Sequence, residues 1–147
     1  MSESSSSEQM LQHPAIVFVK ESFQEVDTFK IGSHGGGEEQ PFWDFSVDEV
    51  PCRALFIRNQ YLFVVSEMCG LPAPGEKSAQ LFEYLLQEDH HPYRFEFQGA
   101  RLYMSLRLDS SDFLGGSREH FSHSVREFPS KAHVLKKELL EKFSCEP

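Results

Sequence analysis

An α+β fold, with helices packed on an antiparallel sheet of about five strands, follows from three features of the chain. Two stretches alternate around tight turns in the manner of hairpins, other stretches repeat their apolar residues at helical spacing, and the two kinds interleave along the sequence. The order expected is α-βββ-α-ββ-α.

The segment that organises the rest is Cys52 to Met68, CRALFIRNQYLFVVSEM. Two apolar runs, Ala54 to Ile57 and Tyr61 to Val65, flank Arg58-Asn59-Gln60. Aromatic and β-branched residues in short runs, with Asn between them, predict an antiparallel hairpin. Successive strand side chains point to opposite faces, so Leu55 and Ile57 oppose Ala54 and Phe56, and Phe63 and Val65 oppose Leu62 and Val64. Both faces are therefore apolar, and each large side chain gains about 1.5–3 kcal/mol from full burial. Helices can cover one face; something else has to cover the other.

Taken in order, residues 1–12 are Ser-rich and polar and are expected to form a mobile tail before a single domain over 13–147. Pro14 suits the first position of a helix, and Ile16, Val19, Phe23 and Val26 make one stripe at spacings of three, four and three. The competing reading is a strand, because Ile16 to Val19 are rich in strand formers. Thr28 to Ile31 is a candidate short strand ended by a loop, Gly32 to Gly37, whose three consecutive glycines read as a flexible tip. Phe42 to Val47 is extended. Cys69 to Gly75 breaks the sheet, since Pro72 and Pro74 lack ladder donors. Glu76 to Gln87 reads as a helix with Ala79, Phe82, Leu85 and Leu86 on one side. The second hairpin alternates Tyr93, Phe95 and Phe97 with polar residues, turns at Gly99, and returns through Leu102, Met104, Leu106 and Leu108. A last helical stretch from Ser117 to Phe143 carries an apolar stripe at spacings of three and four, and Pro129 within it predicts a kink or a second helix.

Composition narrows function. A chain of 147 residues with 39% hydrophobic content and 14 Phe suits one globular domain. A net charge of −9 opposes binding to nucleic acid or to an anionic membrane. Three cysteines without C-x-x-C spacing cannot all pair within one chain, which indicates a reducing compartment and structural thiols. The run Ala15 to Val19 is far too short to span a bilayer. A cytoplasmic location is expected.

The motifs are weak as chemistry. Gly70 to Ser78 (GLPAPGEKS) nearly spells a phosphate loop, but Glu76 intervenes before Lys77 and Pro72 and Pro74 remove N–H donors. His34-Gly35-Gly36-Gly37 resembles an oxyanion loop without the nucleophile elbow G-x-S-x-G. His120 and His123 share a helical spacing but lack a third ligand at motif spacing, and His90-His91 reads as an exposed loop. No enzymatic activity, metal or cofactor is expected.

The helix Gln80 to Leu86, the hairpin Tyr93 to Phe97 with Arg101 to Leu108, and the long last helix together look like the YbjN family, which resembles the class I type III secretion chaperones in fold. With the central hairpin supplying the preceding strands, the likeness covers roughly residues 13–144. It implies a non-enzymatic homodimer that binds an extended segment of a protein client on apolar surface. By that resemblance Phe82 and Leu86 are candidate dimer contacts, and Phe56 and Phe63 are candidate client contacts if the outer face of the central hairpin is used; both are also candidates for the core. The alternatives are a small nucleotide-binding protein or enzyme using the Gly70–Ser78 turn, and a structural or regulatory dimer without a client.

Overall fold

The structure, a computed structural model, describes residues 9–37, 39–87 and 89–147. Most of the Ser-rich segment lies outside these residues; of it, residues 9–11 form a helical turn. Helix α1, Pro14–Ser22, starts where His13 Nδ1 accepts the Ala15 N–H at 3.1 Å. It is shorter than the apolar stripe suggests. Phe23 is its C-cap and Val26 falls in the turns beyond, so the periodicity overruns the helix. Four strands follow: β1, Lys30–Gly35; β2, Phe42–Val47; β3, Val50–Ile57; and β4, Tyr61–Gly70. Helix α2, Glu76–Gln87, leads to β5, Tyr93–Gln98, and β6, Arg101–Asp109. A short helix α3, Ser110–Leu114, precedes the long α4, Arg118–Lys142.

The architecture is α+β, with one antiparallel sheet of six strands in the order β1-β2-β3-β4-β6-β5. The count exceeds five because β1 runs through Gly32, Ser33 and His34 to Gly35, across a register shift between Ile31 and Ser33. The expected loop is therefore largely strand. Nor are its glycines merely flexible: a Cβ on Gly35 would stand 2.8 Å from the Phe42 ring, and Gly36 has φ of 85°. The central hairpin is as anticipated. Arg58 and Asn59 both take positive φ (54° and 55°), and Gln60 N–H closes on Ile57 O at 3.0 Å, which is a type I′ turn. Asp48 and Glu49 make a second such turn between β2 and β3; no Asn-Gly or Asp-Gly marks it in the sequence.

Among the described residues, all helical cover lies on one face of the sheet. Trp43, Phe45, Ala54, Phe56, Leu62, Val64, Met104, Leu106 and Leu108 are buried there with Ile16, Phe18 and Val19 of α1, Phe113 of α3 and Val125, Phe128, Ala132 and Leu139 of α4. Pro129 neither breaks α4 nor starts a new helix; it is buried within an unbroken 25-residue element. Interior Pro costs about 3 kcal/mol in an isolated helix, and here packing of the surrounding apolar stripe on the sheet offsets it.

Candidate functional site

The other face of the sheet carries no helix among the described residues, and it is curled. Lys30 and Ile31 from the β1 edge and Glu96 and Gln98 from the β5 edge line one cavity of about 1130 Å3. Strand twist accumulated over six strands produces such a trough. Its floor follows from register: Leu55 faces Phe63, Arg53 faces Val65 and Ile57 faces Tyr61 across β3 and β4. Tyr103 and Ser105 of β6 continue the floor opposite Glu67 and Val65. Leu55, Ile57, Phe63, Val65 and Tyr103 are all half-buried. They shield one another, yet keep surface open.

Charged residues border this floor and are largely paired among themselves. Arg53 grips Asp44 through two hydrogen bonds of 2.6 and 3.0 Å, and Ser33 Oγ–H donates to the same carboxylate at 2.9 Å. The Arg53 hydrogen bond holds the Asp44 carboxyl below the usual carboxylate range, with the Ser33 bond and the Arg53 charge adding to it against the opposing effect of burial. Arg53 also lies over the Phe42 ring, 4.3 Å from its centroid, and Arg107 lies 3.9 Å from the centroid of Tyr61. Arg101 pairs with Glu67 at the far side. The centre of the trough is thus apolar and its rim ionic.

The candidate contacts separate. Phe63 stands on this floor. Phe56, one face over, is 5% exposed and packs edge-on against His13 and Phe113 in the helix-covered core. It is a core residue, and the shared surface expected for the two aromatics is not formed, because alternation places residues 56 and 63 on opposite faces of one hairpin.

Helix α2 divides its expected stripe. Leu81 is its buried residue, with Tyr84 and Leu85 half-buried beside it. Ala79, Phe82 and Leu86 are exposed, Phe82 41% and Leu86 86%. Phe82 meets Phe97 of β5 in a T-shaped contact at 5.1 Å, and Phe97 is itself exposed. Helix and edge strand so join in one outward apolar patch.

The remaining motifs are placed as follows. In the Gly70–Ser78 turn, Ser78 Oγ accepts the Gly75 N–H at 3.1 Å and donates to Gly75 O at 3.0 Å. Gly70 N–H is bound to Glu146 O and Leu71 N–H to Ala100 O. Three N–H donors of the turn, those of Gly70, Leu71 and Gly75, are thus engaged within the chain. His123 pairs with Glu127 at 3.2 Å, and His120 is exposed beside Phe121. His90 is half-buried against Phe95 and Tyr84 rather than exposed. Among the described residues no three His, Cys, Asp or Glu side chains come together as metal ligands. Among the described residues no helix is long and apolar enough to cross a membrane.

Fold and site together define an α+β protein with one face of its sheet roofed by helices and the other open and apolar. Comparison with protein-family models and with curated proteins found no match.

Proposed function

We propose that this chain is a non-enzymatic, chaperone-like or adaptor protein that holds an extended segment of a protein client in the trough. The observation that carries this reading is the open, half-buried apolar floor of Leu55, Ile57, Phe63, Val65 and Tyr103 within a cavity of about 1130 Å3. Small-molecule pockets measure about 300–1,000 Å3; a trough above that range and open along the sheet suits a stretch of polypeptide. An extended segment could also add backbone hydrogen bonds at a sheet edge. The resemblance to the YbjN family and to secretion chaperones, and a cytoplasmic location, belong to the same proposal. So does a homodimer built on the Phe82, Leu86 and Phe97 patch, which joins a helix and an edge strand in continuous apolar surface.

Photo-crosslinking tests the client site directly. A photoreactive phenylalanine replaces Phe63 in one preparation and Val134, an exposed residue of α4, in another. Client crosslinks should appear at position 63 and not at 134, and Phe63→Asp should abolish capture while the protein remains folded. Undiminished capture by folded Phe63→Asp would remove the trough from client binding.

A further inference from the structure

Beyond α4 the chain forms a short strap seated against the end of β4. Phe143 caps the helix, its N–H on Leu139 O at 3.1 Å, and Ser144 turns the chain with φ of 56°. Glu146 and Gly70 then exchange two backbone hydrogen bonds, of 2.6 and 3.1 Å. This is one hydrogen-bonded pair of an antiparallel ladder. Gly70 permits it: a Cβ there would stand 2.9 Å from Arg101 Nη1 and 3.4 Å from Glu146 Cβ. Arg101 Nη1 in turn donates to Pro147 O at 3.4 Å.

Each member of that pair is preceded by a cysteine. Side chains alternate along a strand, so Cys69 and Cys145 project to the same side of the bridge. The register shift between Glu67 and Cys69 re-aims β4 locally and leaves both Met68 and Cys69 buried. Cys69 is 0% and Cys145 7% exposed and both thiols are free; burial pushes both thiol pKa values up, Cys69 to about 12. The third thiol, Cys52, lies elsewhere, beside Ser66 and Val50 O.

We propose that Cys69 and Cys145 form a reversible intrachain disulfide that staples the C-terminal strap to β4. Diagonal Cα atoms of a regular ladder stand about 7–8 Å apart, and disulfides span about 4.4–6.8 Å. Closure therefore draws the strap inward by roughly an ångström, a small shift for a segment beyond the last turn of α4. The oxidant is a low-molecular-weight disulfide. Cys145, on the strap, loses its proton to water and attacks one sulfur of the reagent; the reagent's S–S bond breaks and its first thiolate leaves and is protonated. Cys69 then attacks the Cys145 sulfur as a thiolate, and the second reagent thiol departs. Two thiols of the protein give up two electrons and two protons, and the reagent becomes two thiols.

The test uses the full chain in wild-type and Cys52→Ser forms, incubated with oxidised glutathione, quenched in acid, alkylated and mapped by mass spectrometry. Both should lose the Cys69 and Cys145 thiols and yield one linked peptide pair without a retained glutathione. Closing so long a loop should raise the melting temperature by about 5 °C or more, reversibly with dithiothreitol, and Cys145→Ser should show no such rise. The proposal fails if Cys145 keeps a glutathione adduct while Cys69 stays alkylatable. It fails equally if the bonds formed are between chains, if linkage leaves the melting temperature unchanged, or if thiols persist where the urea-unfolded chain oxidises.

Discussion

Phe56 and Phe63 are the same residue type on the two strands of one hairpin, and they look in opposite directions. Phe56 is enclosed by His13 and Phe113 under the helices; Phe63 is half-buried on the trough floor, with Tyr61 beside it. Covering a sheet face takes amphipathic helices, and α1, α3 and α4 all lie on the same side. The second face keeps strand-forming residues that satisfy β propensity without being roofed. Apolar content alone therefore does not distinguish a core from an open floor; the placement of helices does.

The sharpest break of this comparison is a pair of truncations. Phe56→Ala should lose about 3–5 kcal/mol in denaturant melts, through lost transfer energy and a cavity that α1 and α3 cannot collapse into. Phe63→Ala removes a half-buried ring and should lose roughly 1 kcal/mol. Equal, large losses at both positions would mean that the trough floor is already covered in the free protein, by a second copy or by another part of the chain.

Helix α2 repeats the contrast on a smaller scale. Leu81 is buried and Leu86, five residues on, is 86% exposed. Leu81→Ala should cost about 2–4 kcal/mol, whereas Leu86→Glu should leave the melt within about 0.5 kcal/mol at low protein concentration. If the Phe82–Leu86–Phe97 patch joins two copies, sedimentation equilibrium should show twice the 16.9 kDa mass for the parent and the single mass for Leu86→Glu. A single mass for both removes this dimer.

Much of the fold was legible because its signals are local. The bounds of α2 and the alternation of β5 and β6 can be read from periodicity, and the central hairpin from its two apolar runs. The stripe Ala79, Phe82, Leu85 and Leu86 read for α2 is divided in the structure, Leu85 half-buried beside Leu81 and the others exposed, because the rows Leu81–Leu85 and Phe82–Leu86 are both apolar and only the neighbouring elements decide which is buried. The reach of β1 was missed because Gly32 and Gly35 weaken a strand pattern, while their role is to admit a bulge and the Phe42 ring. The trough itself combines residues from both sheet edges, and its curl is a collective property of six strands. Residue alternation did yield two apolar faces, but not which one stays open.

The smallest expected effects are electrostatic, and they also differ between the faces. Under the helices, His13 is held below its usual pKa by burial, with its Nδ1 occupied as acceptor for Ala15 N–H and its ring against Trp43 and Phe56. Because the unfolded chain takes up that proton near pH 6.5 and the folded chain resists it, the stability tied to His13 is complete above about pH 6.5. It is lost progressively as the pH falls from there toward the lower folded value. Asp44 on the open face runs in another window: its carboxyl is held below 3.8, chiefly by the Arg53 hydrogen bond, so its contribution is complete above about pH 4 and disappears only at lower pH. An exposed pair of this kind contributes about 1 kcal/mol or less. Denaturant melts between pH 8 and 5 should therefore separate the two. His13→Asn, which can still cap α1 but does not titrate, should flatten the slope below pH 6.5, and Asp44→Asn should leave that slope as it was. A slope unchanged by His13→Asn would show that the imidazole protonates without disturbing the α1 cap, and that the inner face is less closed than its packing indicates.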